Sequence, residues 1–282
     1  MNVSVIVPVY RDWERLELCL AALLAQTSPC FEIIVVANDG RRLPRAMEDE
    51  RVRLLEEARP GSYAARNAAV ASARGQVLAF TDADCIPEPD WLRQALRALR
   101  ENPGSRVTGP VPIFQVDGAN RLAWLHDSFF AFDGPEDAAR GICPTANLIV
   151  PKCAFDRVGP FDSSLFSGGD VEWSKRATSA GVPLIFDPDV RVSHPARQSV
   201  RELVSRRRRI AGAHPFNPDI QFLSYVRHGL RPPLRALARL PGRDALRFRD
   251  RAALFLLLWL LNLAGLVEYL LLVSRLKRPN RA

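Results

Sequence analysis

The sequence predicts an α/β domain built on a sheet of buried, mostly parallel strands, followed by a basic, helical C-terminal part. Two stretches, VSVIVPV (3–9) and FEIIVVA (31–37), are short and apolar on both faces, as strands inside a parallel sheet are. Between them, Asp12 precedes a segment whose leucines, from Leu16 to Leu24, recur on one helical face. Strand, helix and strand at this spacing indicate a right-handed crossover.

The alternation of strands and helices continues to about residue 190. The further predicted strands are RVRLLE (51–56), QVLAFTD (76–82), RVTGPVPIF (106–114), NLIVP (147–151) and PLIFDP (183–188). The further predicted helices are SYAARNAAVASA (62–73), a segment from Pro89 to Glu101 and one near 170–180. Open sheets of this kind bind ligands at the carboxyl ends of their strands. Functional residues are therefore expected just after strands.

Charge is distributed unevenly along the 282 residues. The formal net charge is +8, but residues 197–282 hold 18 Lys and Arg against 5 Asp and Glu, so the part before them is net negative. The five cysteines show no C-x-x-C spacing, which predicts reduced thiols rather than a disulfide framework or a zinc site. No signal peptide is expected, because no basic segment followed by a long apolar one opens the chain.

Two aspartates follow the predicted strand 76–82, where ligands are expected. Asp82 and Asp84 are one residue apart, and two carboxylates held close together resist ionisation unless a cation offsets them. A hard divalent ion with further oxygens from a diphosphate would complete such a site. The alternative is a simple helix-capping turn, since IPEPDWL opens a helix directly afterwards.

Four stretches, taken together and in order, carry a resemblance to a known family. They are VSVIVPVYRDWERLELCLAALLAQT, FEIIVVANDG, RPGSYAARNAAVASARGQVLAFTDADC and TANLIVPKCAFDRVGPFDSSLFSGGDVEWSKRATSAGV. From Val3 to about His194 the chain resembles the family 2 glycosyltransferases. The resemblance implies the GT-A fold, a Rossmann-like mixed sheet flanked by helices that binds nucleotide-diphospho-sugars.

The resemblance also implies a donor-binding side of the site. In that family the end of the first strand, here Pro8, Val9 and Tyr10, contacts the nucleoside. The acidic turn after the second strand, here Asp39, bonds the base or ribose. Arg66, in the small-residue helix, reaches toward the nucleotide.

Metal ligands and a catalytic base are implied in the same way. Asp82 and Asp84 match the D-x-D motif that holds Mg²⁺ or Mn²⁺ and, through it, the donor diphosphate. His194 matches a histidine that supplies a further metal or diphosphate contact, although a single histidine is more often satisfied by packing. Asp170 matches the catalytic aspartate, against the alternative that it caps a helix, and Glu172 is an acceptor contact or a structural residue.

The sequence departs from the family pattern at three points. The turn usually written D-D-G-S is Asn38-Asp39-Gly40-Arg41, which bears on the choice of base. The acidic residue that often follows D-x-D is Cys85, and the usual glutamate before the base is Gly169.

An apolar stretch from Ala252 to Val273 predicts a membrane-associated helix. As a helix it would be about 33 Å long, against a hydrocarbon core of about 30 Å. Asn262 and Glu268 count against a crossing, and a buried helix of a soluble domain is the alternative. Basic residues stand on both flanks, so the sequence leaves open whether this helix spans the membrane or lies in it.

Arginines recur every fourth residue before this helix and suit anionic membrane lipids or a lipid diphosphate, although a solvated face is equally compatible with them. They are Arg227, Arg231, Arg235, Arg239, Arg243, Arg247 and Arg251. The stretch lacks interleaved aromatic residues, so nucleic acid is not expected as a partner. The run Arg206 to Arg209 has no neighbouring Gln or Trp of a processive synthase motif, so a non-processive enzyme is expected.

These observations predict a catalytic domain over 1–215, a basic segment over 216–251, a hydrophobic helix over 252–274 and a basic tail over 275–282. The predicted activity is metal-dependent, inverting transfer of a sugar from a nucleotide-diphospho-sugar to a hydroxyl acceptor at the cytoplasmic face of the cell membrane. The acceptor is expected to be lipid-linked or part of the cell envelope. The alternatives are a non-catalytic membrane-bound scaffold with the same fold, and a nucleotidyltransferase, which would need a Gly-rich, Lys-bearing loop that VPVYRDWER lacks.

Overall fold

A computed structural model of the chain describes residues 2–28, 30–40, 49–132, 134–165, 167–213, 222–237, 240 and 246–277. The described residues form two compact units. The sheet unit comprises those of 1–112, 133–165 and 169–195, and the helical unit comprises those of 113–132, 166–168 and 196–282. Arg41, much of the predicted basic segment (216–221, 238–239 and 241–245) and residues 278–282 of the predicted tail lie outside the described residues.

The sheet unit is built on a mixed sheet, as the sequence predicts. Its strands are β1 (Val3–Val9), β2 (Phe31–Ala37), β3 (Val52–Glu56), β4 (Val77–Phe80), β6 (Arg106–Thr108), β8 (Leu148–Pro151) and β9 (Leu184–Phe186). Two further strands, β5 (Ile86–Pro87) and β10 (Val192–Pro195), pair with each other outside this sheet. The order is β3-β2-β1-β4-β8-β6-β9. The first four strands are parallel, and β8 runs antiparallel to both β4 and β6. The carboxyl ends of β1, β2 and β4 therefore meet at one edge.

One predicted strand, over 106–114, is wrong as a single element. The structure has two short strands there, β6 and β7 (Ile113–Phe114), and β7 belongs to the helical unit. Pro110 and Pro112 interrupt the run, because proline has no N–H to donate to a ladder.

Helices cover the sheet and connect its strands. They are α1 (Trp13–Leu24), α2 (Ser62–Ser72), α3 (Trp91–Glu101), α5 (Gly134–Ala139), α6 (Lys152–Val158) and α7 (Gly169–Ser179). In α1 the leucines at 16, 20 and 23 are fully buried, which is the apolar face that the sequence pattern predicts. The crossover β1–α1–β2 is confirmed, with Val3 paired to Phe31 in parallel register.

An aromatic cluster holds α7 against the sheet. Trp173 of α7 stacks on Phe155 at 5.3 Å between ring centroids and contacts Phe161 at 5.5 Å. Its indole N–H also donates to the carbonyl of Gly159 at 2.8 Å. Because Trp173 is fully buried, the N-terminus of α7 has a fixed position at the sheet.

The helical unit contains the long apolar helix. Its helices are α4 (Arg121–Phe130), α8 (Val200–Ala213), α9 (Phe222–Leu230), α10 (Leu234–Leu237) and α11 (Phe248–Val273). Leu257 and Leu261 of α11 pack with Ala123 of α4 and Leu203 of α8. The apolar helix thus begins four residues before the predicted Ala252 and has a core of its own.

Arg106 is a buried cation that links β6 to α7, and removing it should destabilise the sheet unit. Its guanidinium donates to the carbonyls of Val182 and Gly141, both at 2.7 Å, and to Thr178 Oγ1 at 3.0 Å. We expect Arg106→Ala to lower the free energy of unfolding by about 3 kcal/mol in urea denaturation, because it leaves buried carbonyls unsatisfied and creates a cavity. The exposed Arg100→Ala is the control, and equal losses in the two variants would contradict this role.

Candidate functional site

The predicted nucleoside contacts lie at the carboxyl end of β1. Pro8 and Val9 end that strand, and Tyr10, which is 46% exposed, follows it. Arg11 comes next in the left-handed backbone region at φ 58°, with its guanidinium 5.0 Å from the centre of the Tyr10 ring. An exposed aromatic ring at a strand end is suited to packing against a nucleoside.

Asp39, two residues after the end of β2, is hydrogen-bonded to the turn after β1. Its carboxylate accepts hydrogen bonds from the Arg11 backbone N–H at 2.9 Å and from the Trp13 indole N–H at 3.0 Å. These bonds stabilise the left-handed conformation of Arg11. Contact between Asp39 and a base or ribose stays a prediction.

Asn38, which stands where the family usually has aspartate, braces the loop before α2. Its amide donates to the carbonyls of Glu57 and Arg59 at 2.5 and 2.8 Å, and its oxygen accepts the Gly61 N–H at 2.9 Å. An aspartate could not donate the first two of these bonds. The departure from the pattern therefore has a structural reason.

Arg66 and Asp82 form an ion pair at the centre of the site. The Arg66 side chain is only 3% exposed, and its guanidinium lies 5.7 Å from the centre of the Tyr63 ring. Among the described residues, its Nε atom is buried and has no hydrogen-bond partner. Arg66 therefore directs a fixed positive charge to the end of β4, where a diphosphate is expected.

Asp84 faces His194 rather than Asp82. His194 Nε2 lies 3.4 Å from an Asp84 carboxylate oxygen, and the Sγ of buried Cys85 lies 3.9 Å from the other. These three side chains form a group whose ligand atoms lie within 4.8 Å of one another. Burial raises the pKa of Asp84, and the charge of Asp82 adds to that effect while His194 opposes it.

The arrangement of Asp84 and His194 fits a bound divalent cation. The Pro195 carbonyl can only accept, so the His194 Nδ1–H donates to it at 2.7 Å. In a neutral ring, Nε2 then directs its lone pair at the Asp84 carboxylate, and a cation or a proton between them relieves the repulsion. Burial raises the pKa of the Cys85 thiol, so the two donors that fit the ion are the imidazole and the carboxylate.

Asp170 lies at the start of α7, where it contacts Tyr63. The Tyr63 hydroxyl lies 3.4 Å from Asp170 Oδ1 and accepts the backbone N–H groups of Gly169 and Asp170 at 2.9 and 3.3 Å. Burial raises the pKa of Asp170, although the Val171 N–H, at 3.0 Å, opposes that effect. Burial also raises the pKa of Tyr63 to about 12, so this phenol keeps its proton.

Tyr63 explains the glycine that stands in place of the usual glutamate. A Cβ on residue 169 would lie 2.7 Å from the Tyr63 ring, closer than carbon atoms pack. The ring therefore occupies the space that a side chain at position 169 would need. Tyr63 is not among the residues predicted from the sequence, where the unusual Gly169 is the signal that points to it.

Glu172, the remaining predicted site residue, is engaged within α7. It forms an ion pair with Arg176, one turn later, with an O–N distance of 2.9 Å. Arg176 also donates to the carbonyls of Val158 and Pro160. These contacts favour the structural role for Glu172 over contact with the acceptor.

Comparison with known sequences decides the family. The model of glycosyl transferase family 2 matches residues 4–162, which include Arg66, Asp82 and Asp84. This chain belongs to glycosyltransferase family 2. Asp170 and His194 lie beyond the matched segment.

Two curated relatives of this glycosyltransferase are themselves named as glycosyltransferases. Glycosyltransferase AglE of Haloferax volcanii is 39% identical over 206 residues, which cover 69% of this chain and 67% of the relative. The pre-mycofactocin glycosyltransferase of Mycobacterium tuberculosis is 26% identical over 219 residues, 73% of this chain. The match spans 45% of that longer relative.

Solved structures confirm that this glycosyltransferase has the GT-A fold. The mannosyltransferase PcManGT from Pyrobaculum calidifontis, in complex with GDP-Man and Mn²⁺, superposes with a TM-score of 0.62 at 21% identity, covering 98% of this chain and 88% of that one. S. aureus TarS in complex with UDP gives a TM-score of 0.56 at 17% identity, covering 98% and 91%.

The hydroxyl of Tyr63 should matter for turnover more than for donor binding in this glycosyltransferase. We expect Tyr63→Phe to lower kcat about tenfold, the equivalent of one lost hydrogen bond to a charged group, with KM for the donor little changed. Steady-state kinetics test this, with Tyr269→Phe in the helical unit as control. A change confined to KM would contradict the proposed contact with Asp170.

Proposed function

We propose that this glycosyltransferase transfers a sugar from a nucleotide-diphospho-sugar to an acceptor hydroxyl by a single displacement that inverts the anomeric centre. One observation carries the proposal. Arg66 and Asp82, the Asp84–His194 pair and the Tyr63–Asp170 pair occupy the carboxyl edge of the sheet, where a donor diphosphate and an acceptor can meet.

Asp84 and His194 would hold Mg²⁺ or Mn²⁺, and Asp82 remains a proposed contact to the ion or to the diphosphate. When bound, the ion offsets the negative charge that accumulates on the departing diphosphate. Arg66 contributes positive charge to the same region through its fixed guanidinium. Asp39 and the segment Pro8 to Tyr10 are the proposed contacts for the nucleoside.

Asp170 is the proposed general base. The acceptor hydroxyl transfers its proton to the Asp170 carboxylate as its oxygen bonds to the anomeric carbon, while the bond from that carbon to the diphosphate oxygen breaks. A raised pKa makes this carboxylate a better proton acceptor than an ordinary aspartate. Tyr63 holds it in position during the transfer.

The acceptor that we propose is a lipid-linked or cell-envelope glycan at the cytoplasmic face of the membrane, extended without processive synthesis. A cavity of about 860 Å³ in the helical unit supports a lipid component. The described residues that line it are Leu234, Leu246, Phe248, Arg251, Ala252, Phe255 and Leu256, most of which are apolar. Apolar walls of this kind suit a hydrocarbon chain.

A donor panel tests the proposal. Purified enzyme is incubated with UDP-, GDP- and dTDP-sugars, with Mg²⁺, Mn²⁺ or EDTA, and release of nucleoside diphosphate is measured. We expect one donor class to be consumed only with metal and not by Asp84→Ala. If no donor is consumed and none binds more tightly with metal, the proposed reaction is wrong.

A further inference from the structure

One face of α11 is apolar and uncovered along almost the whole helix. The residues on this face, which we call the α11 stripe, are all apolar and share one side of the helix. They are Ala252, Leu256, Trp259, Leu260, Leu263, Val267, Leu270 and Val273. Exposure reaches 61% at Leu256, 50% at Leu260 and 48% at Val267. The stripe is about 32 Å long at the rise of an α-helix.

The opposite face of α11 carries polar contacts along its length. It packs on α4, α8 and α9, and its polar side chains pair with those helices or with the chain just after α11. The pairs are Asp250 with Arg121 at 3.0 Å, Asn262 with Arg207 at 3.4 Å, Glu268 with Arg208 at 3.8 Å and Glu268 with Lys277 at 2.5 Å. Asn262 and Glu268, which count against a membrane helix in the sequence, therefore point away from the stripe.

These contacts conflict with a helix that crosses the bilayer. Arg207 lies beside Gly265 and Asn262, halfway along α11, and α8 carries four consecutive arginines from Arg206 to Arg209. If α11 spanned the bilayer, α8 would be drawn into the hydrocarbon with it. Each arginine at the bilayer centre costs about 2.5–3.5 kcal/mol even on the most permissive scale.

We propose that α11 lies in the plane of an anionic bilayer, with the α11 stripe among the acyl chains and the basic residues of the helical unit at the head groups. This rests on the membrane attachment in the proposed function and specifies its geometry. Only one face of the helix is buried in lipid, so α8 and its arginines stay at the aqueous side.

Charge favours a bilayer over a second copy of the chain as the partner of the stripe. Residues 197–282 carry 18 Lys and Arg against 5 Asp and Glu, so two copies meeting here would repel. The same excess attracts anionic lipids, at about 1 kcal/mol for each basic residue near the surface. Exposed Arg227, Arg231 and Arg235 of the neighbouring segment contribute to it.

Vesicle flotation tests whether an anionic bilayer is the partner of the α11 stripe. We expect the full-length protein to float with vesicles of phosphatidylcholine and phosphatidylglycerol and to bind pure phosphatidylcholine more weakly. The double variant Leu256→Glu, Val267→Glu should lose binding by about tenfold or more, because it places two charges on the stripe. Leu18→Glu is the matched control, since Leu18 is 60% exposed in the sheet unit.

Spin-label depth tests the geometry. Cysteines placed singly at Leu256, Leu263 and Leu270 share one face, and Cys30→Ser with Cys153→Ser removes the exposed native thiols. An in-plane helix gives equal depths at all three positions. A spanning helix puts the central label deepest, since consecutive labels are about 10 Å apart along the axis.

Each outcome decides a different claim. Flotation with unequal depths overturns the in-plane geometry and leaves membrane attachment standing. No flotation, with concentration-dependent dimers in sedimentation, overturns attachment as well and makes the stripe an interface between copies. Neither result depends on the donor panel, so sugar transfer succeeds or fails separately.

Discussion

Replacing Asp170 with asparagine should lower kcat by about 10²–10⁴-fold, the usual contribution of a positioned general base. The asparagine keeps the shape of the side chain but cannot take the acceptor proton. Donor affinity should change much less than kcat, because the hydrogen bonds of Asp170 go to Tyr63 and to the start of α7. Steady-state kinetics together with donor binding by calorimetry measure both quantities.

The pH dependence of kcat in the wild-type enzyme gives a second test of the role of Asp170. As the proposed base, Asp170 would act when ionised, and burial raises its pKa, so kcat should fall with decreasing pH at values above those of an ordinary aspartate. The residual activity of Asp170→Asn should lack this acidic limb. Asp156→Asn, which changes an exposed carboxylate paired with Lys152, is the control and should retain wild-type kinetics. Full activity in Asp170→Asn would assign the base to another residue.

Replacing Asp84 with asparagine should abolish metal-dependent donor binding. A wild-type protein holding metal and donor at 100 times the dissociation constant gains about 2.7 kcal/mol of stability, and the variant should gain almost none. Thermal unfolding with and without Mn²⁺ and nucleoside diphosphate measures the difference. Glu88→Gln, an exposed substitution near the end of β5, is the control.

In the absence of metal, Asp84→Asn should stabilise the protein at neutral pH. Folding raises the pKa of Asp84. The contribution of Asp84 to the free energy of unfolding is therefore fully present below the unfolded-state pKa and is lost as pH rises through the folded-state pKa. In EDTA at neutral pH, Asp84→Asn should therefore melt at a higher temperature than the wild type, and the advantage should disappear on acidification. A variant that is less stable than the wild type at neutral pH would contradict the raised pKa of this half-buried carboxylate.

The position of the site was predictable from sequence because it depends on local patterns. Apolar runs such as 3–9 and 31–37 locate the strands, and parallel strands bring their carboxyl ends to one edge. Asp82 and Asp84 follow directly from that rule. The resemblance to family 2 then supplies Arg66, Asp170 and His194, which the structure brings to the same edge.

Contacts between distant segments were not predictable in this way. Tyr63 reaches Gly169, more than one hundred residues later in the chain, and nothing local to SYAARNAAVASA indicates that contact. The sequence shows Asn38 as a departure from the family turn. Its structural role is evident only in the fold, where its amide donates to the carbonyls of Glu57 and Arg59. Side-chain roles of this kind depend on tertiary packing.

The apolar helix illustrates the same limit. Its composition gives length and hydropathy, which a spanning helix and an in-plane helix share. The distinction depends on which side Asn262 and Glu268 face, and this is set by the packing of α8. Once the partner helix is known, the exposed side is an apolar stripe.

The anomeric configuration of the first-formed product distinguishes direct displacement, with Asp170 as base, from other mechanisms. The preferred donor, with an α-linked sugar, is reacted in an NMR tube, and the anomeric proton coupling of the product is followed for the wild type and for Asp170→Asn. We expect a β-linked product from the wild type and a rate at least about 10²-fold lower in the variant. A product with retained α-configuration, or equal rates in the two proteins, would contradict direct displacement with Asp170 as base.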